Sequence, residues 1–243
     1  MQDKLLNDIK STKNSIQRIE LNKNRDDLIE NITFDLPKNT IDFSYAIDVI
    51  CSLNSLFAVK HRNEKFNSYN KNNIAIFPLE AELDEKIYKM LNPFDSANCS
   101  IGVINKNEAN DWAKLCLDLN YTNSIIVSGH NLPLYSPFGE TYIAEAWKNK
   151  IFTITLNPKL LDFKEYDEDS LNCESKEENK EIIEAVFQNK IKDAPYQALV
   201  VNSALSLYIT KRAKSIADAI NLAKKTIESK NCYECFRKLY LFI

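Results

Sequence analysis

Glycine is almost missing from this sequence. Gly102, Gly129 and Gly139 are the only three in 243 residues, where a globular chain averages roughly 7%. Loops that wrap a phosphate use glycine for positive φ and close backbone approach. Neither a Walker loop nor a GxGxxG run occurs. Histidine is scarcer still, with only His61 and His130. No apolar run approaches the roughly 18 residues of a membrane span, so no membrane association is expected. The opening MQDKLLNDIK lacks the apolar core of a secretory signal. Charge of one sign is also lacking: the net charge is −3 and no Lys/Arg stripe is present, which argues against nucleic acid as a partner.

Six cysteines are scattered through the chain. Cys51, Cys99 and Cys116 lie in or beside apolar stretches and read as small buried hydrophobes. Cys232 and Cys235 form a lone CxxC near a helical C-terminus. A structural zinc site needs about four ligands, and no second pair is spaced to complete one. Such usage fits a reduced, cytoplasmic protein.

What the chain does have is an ordinary globular composition, 44% hydrophobic and 27% charged, and enough length for one large domain or two small ones. Residues 2–30 alternate charge with Leu5, Ile9, Ile16, Ile19, Leu21 and Leu28, a narrow stripe that predicts one or two amphipathic helices. Phe43–Leu53 has helical apolar spacing, and Leu56–Val59 reads as a buried strand. Lys60, His61, Arg62 and Asn63 would then lie just past the carboxyl end of that strand, where open α/β sheets bind ligands. A cationic, hydrogen-bonding group there suits a phosphate or carboxylate. The polar run 63–73 reads as a loop, Ile74–Pro78 as a short strand, and Glu80–Leu91 as a helix that Asn92-Pro93 ends.

The clearest unit follows. Apolar runs at Ser100–Ile104 and Ser124–Ser128, joined by a helix over Asn107–Leu119, predict parallel strands. His130 would then stand at a strand's carboxyl end. Lys150–Leu156 alternates at period two, a strand with one wetter face. The acidic stretch 162–178 reads as a solvated loop, and helices are expected over 177–188, 194–208, 215–228 and 233–241. Ser215, with Asp218 three residues on, is a capping pattern.

Several of these segments together resemble the anthranilate phosphoribosyltransferase family. Glu177–Gln188, then Asn202-Ser203-Ala204-Leu205-Ser206-Leu207-Tyr208, then Ser215–Leu239 resemble its C-terminal helices. MLNPFDSANCSIGVI, Asn123–Glu140 and SYAIDVICSLNSLFAVKHRNEKFNS resemble, in order, its strands and loops upstream. The resemblance implies an α/β fold with a mostly parallel sheet flanked by helices, behind a reduced N-terminal helical segment: residues 1–30 and then an α/β domain over 31–243. It also implies transfer of the phosphoribosyl group of phosphoribosyl pyrophosphate to anthranilate, a step of tryptophan biosynthesis, with magnesium, in a homodimer or with a hetero-partner meeting through the N-terminal helices.

Carried over residue by residue, the resemblance assigns substrate binding to Thr33, Ser44, Lys60, His61, Asn63 and Ser68. The family's glycine-rich GTGGD loop falls on Ile32–Leu36, where only Thr33 matches. Phe34, Leu36 and Pro37 crowd the backbone, and proline has no N–H to offer. Asp42 puts a negative charge where phosphate would lie. Without gaps after Gly129, the magnesium carboxylates fall on Leu134 and Tyr135, neither of them an oxygen ligand of the kind Mg²⁺ prefers. No cofactor is therefore expected. The expectation is a non-catalytic descendant with at most weak binding of an anion, a nucleotide or another small phosphorylated ligand. The alternative is an active transferase using phosphoribosyl pyrophosphate at an altered site.

Overall fold

A computed structural model describes Asn7 and residues 28–32, 36, 39–62, 69–71, 74–78 and 97–240. The helix expected over 80–91 lies outside the described residues. In chain order come β1 (Leu28–Ile32), α1 (Ser44–Leu53), β2 (Phe57–Arg62), β3 (Tyr69–Lys71), β4 (Ile74–Pro78), β5 (Asn98–Gly102), α2 (Lys106–Asp118), β6 (Asn123–Gly129), β7 (Thr141–Trp147) and β8 (Lys150–Leu156). Four more helices follow: α3 (Lys176–Phe187), α4 (Ala194–Ile209), α5 (Ile216–Glu228) and α6 (Asn231–Tyr240).

The strands form one sheet in the order β3-β4-β2-β1-β5-β6-β7-β8. The run β4-β2-β1-β5-β6 is parallel throughout, and antiparallel strands close both ends. The expected mostly parallel sheet is therefore the heart of the fold. Connections run from β1 to one side and from β5 to the other, so the strand order reverses at the β1/β5 pair, the kind of place where α/β sheets hold ligands.

Each face of the sheet carries its own core. On one, Ile125, Val127 and Ile143 pack with Val49 and Ile50 of α1 and with the helices α3–α6. On the other, Ile101, Ile126, Ala144 and Ala146 pack beneath Trp112, Ala113 and Cys116 of α2. α4 is apolar nearly all round and is buried along its length, with Ala204 at 0% and Leu205 at 1% exposure. Pro195 stands in its first turn, where a missing N–H costs nothing. The expected cap also forms, since Ser215 Oγ accepts the N–H of Asp218 at 3.1 Å.

Several expectations are corrected. Leu28–Ile32 is not the end of an amphipathic helix but a strand in the middle of the sheet, paired with β2 and β5, and the boundary expected between residues 30 and 31 falls inside it. Its pairing partners lie far along the chain, and a local pattern carries no trace of them. β2 continues through Arg62, because β1 and β4 pair with it on both sides as far as His61 and β4 pairs with Arg62 through Pro78. The polar run after it contains β3, which pairs antiparallel with β4. β7 was not expected at all. Its TYIAEAW sequence mixes the strand formers Thr141, Tyr142, Ile143 and Trp147 with helix-favouring Ala144, Glu145 and Ala146, and a two-residue turn with positive φ at Lys148 and Asn149 folds it onto β8. In β8 both Phe152 and Thr153 are exposed, so the period-two contrast is blurred, as it can be on an edge strand with little packed against it.

The acidic stretch is anchored rather than free. Leu171 and Cys173 are buried, the carbonyl of Leu171 accepts the N–H of Ile41 at 3.0 Å, and Cys173 N–H donates to Asn39 at 2.7 Å. Tyr208 of α4 is half-buried, and its hydroxyl donates to the buried Glu145 at 3.1 Å.

Candidate functional site

The ligand edge of the sheet lies at the carboxyl ends of β1, β2, β5 and β6. Thr33, Asn63 and Ser68 lie outside the described residues. Lys60 and His61 fall within β2 rather than beyond it. Lys60 pairs in register with Asn31 and Ile76, and His61 with Ile32 and Phe77. A residue in a paired strand cannot rearrange its backbone around a ligand as a loop residue can.

Ser44 is the first residue of α1 and is only 7% exposed. Its backbone N–H donates to Asp42 Oδ1 at 2.8 Å, and its hydroxyl donates to the same oxygen. Asp42 is itself held, its N–H donating to Asn179 Oδ1 of α3 at 2.8 Å. The carboxylate thus stands at the N-terminal end of α1, where the helix dipole and free N–H groups would otherwise favour an anionic ligand.

The segment after β6 presses onto the strand ends. A Cβ on Gly102 would come within 1.8 Å of the Pro133 carbonyl oxygen, and one on Gly129 within 2.3 Å of the Leu134 oxygen. Two of the three glycines therefore serve close backbone packing rather than a phosphate cradle. Tyr135 is completely buried. Its N–H donates to Asn202 Oδ1 at 2.9 Å, and its phenol oxygen accepts from Gln197 Nε2 at 3.0 Å, so both contacts are to α4. Burial pushes the Tyr135 phenol up to about 12, with the Gln197 hydrogen bond pulling slightly the other way.

Leu134 and Tyr135, onto which the resemblance places the family's metal carboxylates, do not suit a magnesium ion: they offer an alkyl chain and a phenol locked into the core, and hard divalent cations take carboxylate, carbonyl and water oxygens. Among the described residues, no group of three or more His, Cys, Asp or Glu side chains could hold a metal.

His130 does stand at the carboxyl end of β6, in a left-handed conformation with φ of 36°. It engages no other matched residue there. Its Nε2 lies 2.6 Å from Glu168 Oε1, so it ties the β6 loop to the acidic stretch, a link that sequence spacing gave no sign of.

Comparison with known proteins agrees with this architecture. The family model described as "Glycosyl transferase family, a/b domain" matches residues 86–233, more than half of the chain. An anthranilate phosphoribosyltransferase from Buchnera aphidicola is 25% identical over 232 residues, covering 95% of this chain and 66% of the relative. One from Pyrococcus furiosus is 30% identical over 160 residues, covering 64% and 49%. The chain thus spans about two thirds or less of the length of these curated relatives. Among solved structures, the anthranilate phosphoribosyltransferase of Thermus thermophilus superposes with a TM-score of 0.77 at 13% identity, covering 98% of this chain and 83% of that one. The Saccharomyces cerevisiae enzyme in complex with PRPP and Mg gives 0.73 at 17% identity, covering 96% and 77%. At such identities the superpositions establish the fold, and the family match establishes descent. The chain belongs to the glycosyl transferase family, and its curated relatives there are anthranilate phosphoribosyltransferases.

Proposed function

We propose that this protein keeps the phosphoribosyltransferase fold without magnesium-dependent phosphoribosyl transfer, and that its old ligand edge binds anions weakly. The observation that carries this reading is the Asp42–Ser44 contact. Transfer of this kind depends on positioning and on stabilising phosphate charge. Here a carboxylate takes both the N–H and the hydroxyl of Ser44, a residue that the family resemblance assigns to substrate binding. The phenol of Tyr135, bonded into the core, supports the same reading for the metal. Lys60 and Arg62 remain near the edge and suit a phosphate's oxygens, which leaves room for residual binding on the order of 1 mM.

An active transferase with an altered site is the competing reading. It is favoured by the placement of Lys60 and His61 in a strand paired on both sides at the ligand edge. One assay decides between the two. The full chain is incubated with phosphoribosyl pyrophosphate, magnesium and anthranilate, and the loss of anthranilate fluorescence is followed. No loss above the protein-free blank is expected. Sustained turnover that needs both magnesium and the pyrophosphate overturns the proposal.

A further inference from the structure

We propose that a cleft on the α2 face of the sheet binds a small zwitterion with an apolar side chain, a free α-amino acid of the leucine kind. The cleft opens at the carboxyl ends of β5 and β6 on the face that carries α2, whereas α1, which begins at Ser44, packs on the opposite face. Its volume is about 420 Å³, and its walls come from the ends of β5, β6 and β8 and the start of α2 and β7. That is room for one small metabolite and a few waters.

The lining is mixed in a specific way. Lys106, the first residue of α2, and Glu140, just before β7, are both exposed on the cleft, yet they do not pair. Among the described residues neither makes a side-chain hydrogen bond or an ion pair. Lys106 is carried by α2, which packs over β6 and β7, and Glu140 by the loop that enters β7, so the two charges come from different elements of the cleft wall. A cation and an anion held apart across a cavity match a ligand carrying the opposite pair, with its carboxylate toward Lys106 and its ammonium toward Glu140. Glu140 disfavours a bare phosphate and Lys106 a bare amine.

Between the charges Ile104 and Tyr142 supply apolar surface: Ile104 is 52% exposed, unusually high for isoleucine, and the half-buried Tyr142 ring also lines the cleft. Asn105, Ser128, His130, Asn131 and Thr155 make up the rest of the lining. Ser128 donates to the Ile104 carbonyl at 3.0 Å and Tyr142 to Asn110 at 3.3 Å. Ile104 and the Tyr142 ring give the ligand's hydrocarbon side chain its contact surface.

Isothermal titration of the full chain with L-leucine tests this. A Kd on the order of 1 mM is expected, with 4-methylpentanoate and isoamylamine, each carrying one of the two charges, at least about tenfold weaker. Lys106→Ala and Glu140→Ala should each weaken L-leucine about tenfold. Both side chains are exposed, so both variants should keep the parent's melting curve. Thr155→Trp, which fills the cleft from β8, should abolish binding, and amide shifts on titration should cluster at residues 104–106, 128–131 and 140–142. No detectable L-leucine binding, single-charge analogues that bind equally well, or unchanged affinity in the two alanine variants would each overturn the proposal. None of these results depends on phosphoribosyl transfer.

Discussion

The phenol of Tyr135 accepts a hydrogen bond from Gln197 at 3.0 Å, inside the core and at a position where the family resemblance would put a magnesium carboxylate. The loop after β6 is thus fastened to α4 by a buried side chain. Tyr135→Phe keeps the ring and leaves the Gln197 amide buried without that partner. We expect it to lower stability by about 1–3 kcal/mol in urea unfolding. A change within error would mean that the contact contributes nothing.

The same residue sets an alkaline limit. Its pKa is raised by burial from 10.0 to about 12. The folded state therefore holds the proton more tightly, and this contribution is complete below pH 10. It is lost as the pH rises from about 10 through about 12, amounting to on the order of 2 kcal/mol. Tyr196, also raised to about 12 by burial, adds to the loss in the same window. Unfolding titrations at alkaline pH should show stability falling there, and less steeply in Tyr135→Phe.

Gly102 and Gly139 make a matched pair of tests. A Cβ at Gly102 meets backbone at 1.8 Å, whereas one at Gly139 meets nothing nearer than His130 Nδ1 at 3.7 Å. Gly102→Ala must push the β6 loop off the strand end and should cost about 1–3 kcal/mol. Gly139→Ala should be neutral or slightly stabilising. Equal thermal shifts for the two variants would contradict the close packing of this loop.

Asp42 should behave as a helix-capping residue that also repels anions. Asp42→Ala removes the acceptor for Ser44 and should cost about 1 kcal/mol. Asp42→Asn keeps an acceptor and removes the charge, so its stability loss should be smaller. Inorganic phosphate should bind Asp42→Asn more tightly than the parent. Phosphate titrations of both proteins at one fixed ionic strength would show the opposite order if the carboxylate did not face the anion.

The thiols should be inert in the folded protein. Cys232 is fully buried and raised to about 12, first by burial and then by Cys235 nearby, and burial likewise pushes Cys51 far up. Thiolate is the reacting form. Iodoacetamide at neutral pH should label the half-buried Cys235 first and slowly, and reach all six only after denaturation. Rapid labelling of Cys232 in the native protein, followed by mass spectrometry, would show that α6 opens readily.

Sequence alone determined the elements whose pattern is local. α1, α2 and the C-terminal helices declare themselves by apolar spacing, β5 and β6 by short apolar runs around a helix, and the α5 start by Ser215. The expectation of an altered phosphate and metal site also came from the sequence, because the family resemblance places Phe34, Leu36, Pro37, Asp42, Leu134 and Tyr135 on or beside its binding positions. Only the tertiary structure decided the rest. β1 is a strand because β2 and β5 flank it, and β7, whose sequence mixes strand and helix formers, is held extended between β6 and β8. That Asp42 engages Ser44, that Tyr135 turns inward to Gln197, and that Lys106 and Glu140 face one cleft without pairing all depend on residues distant in the chain. Helical periodicity is written into neighbours three and four apart, whereas strand pairing and side-chain contacts across elements are set by which surfaces the whole chain can bury together.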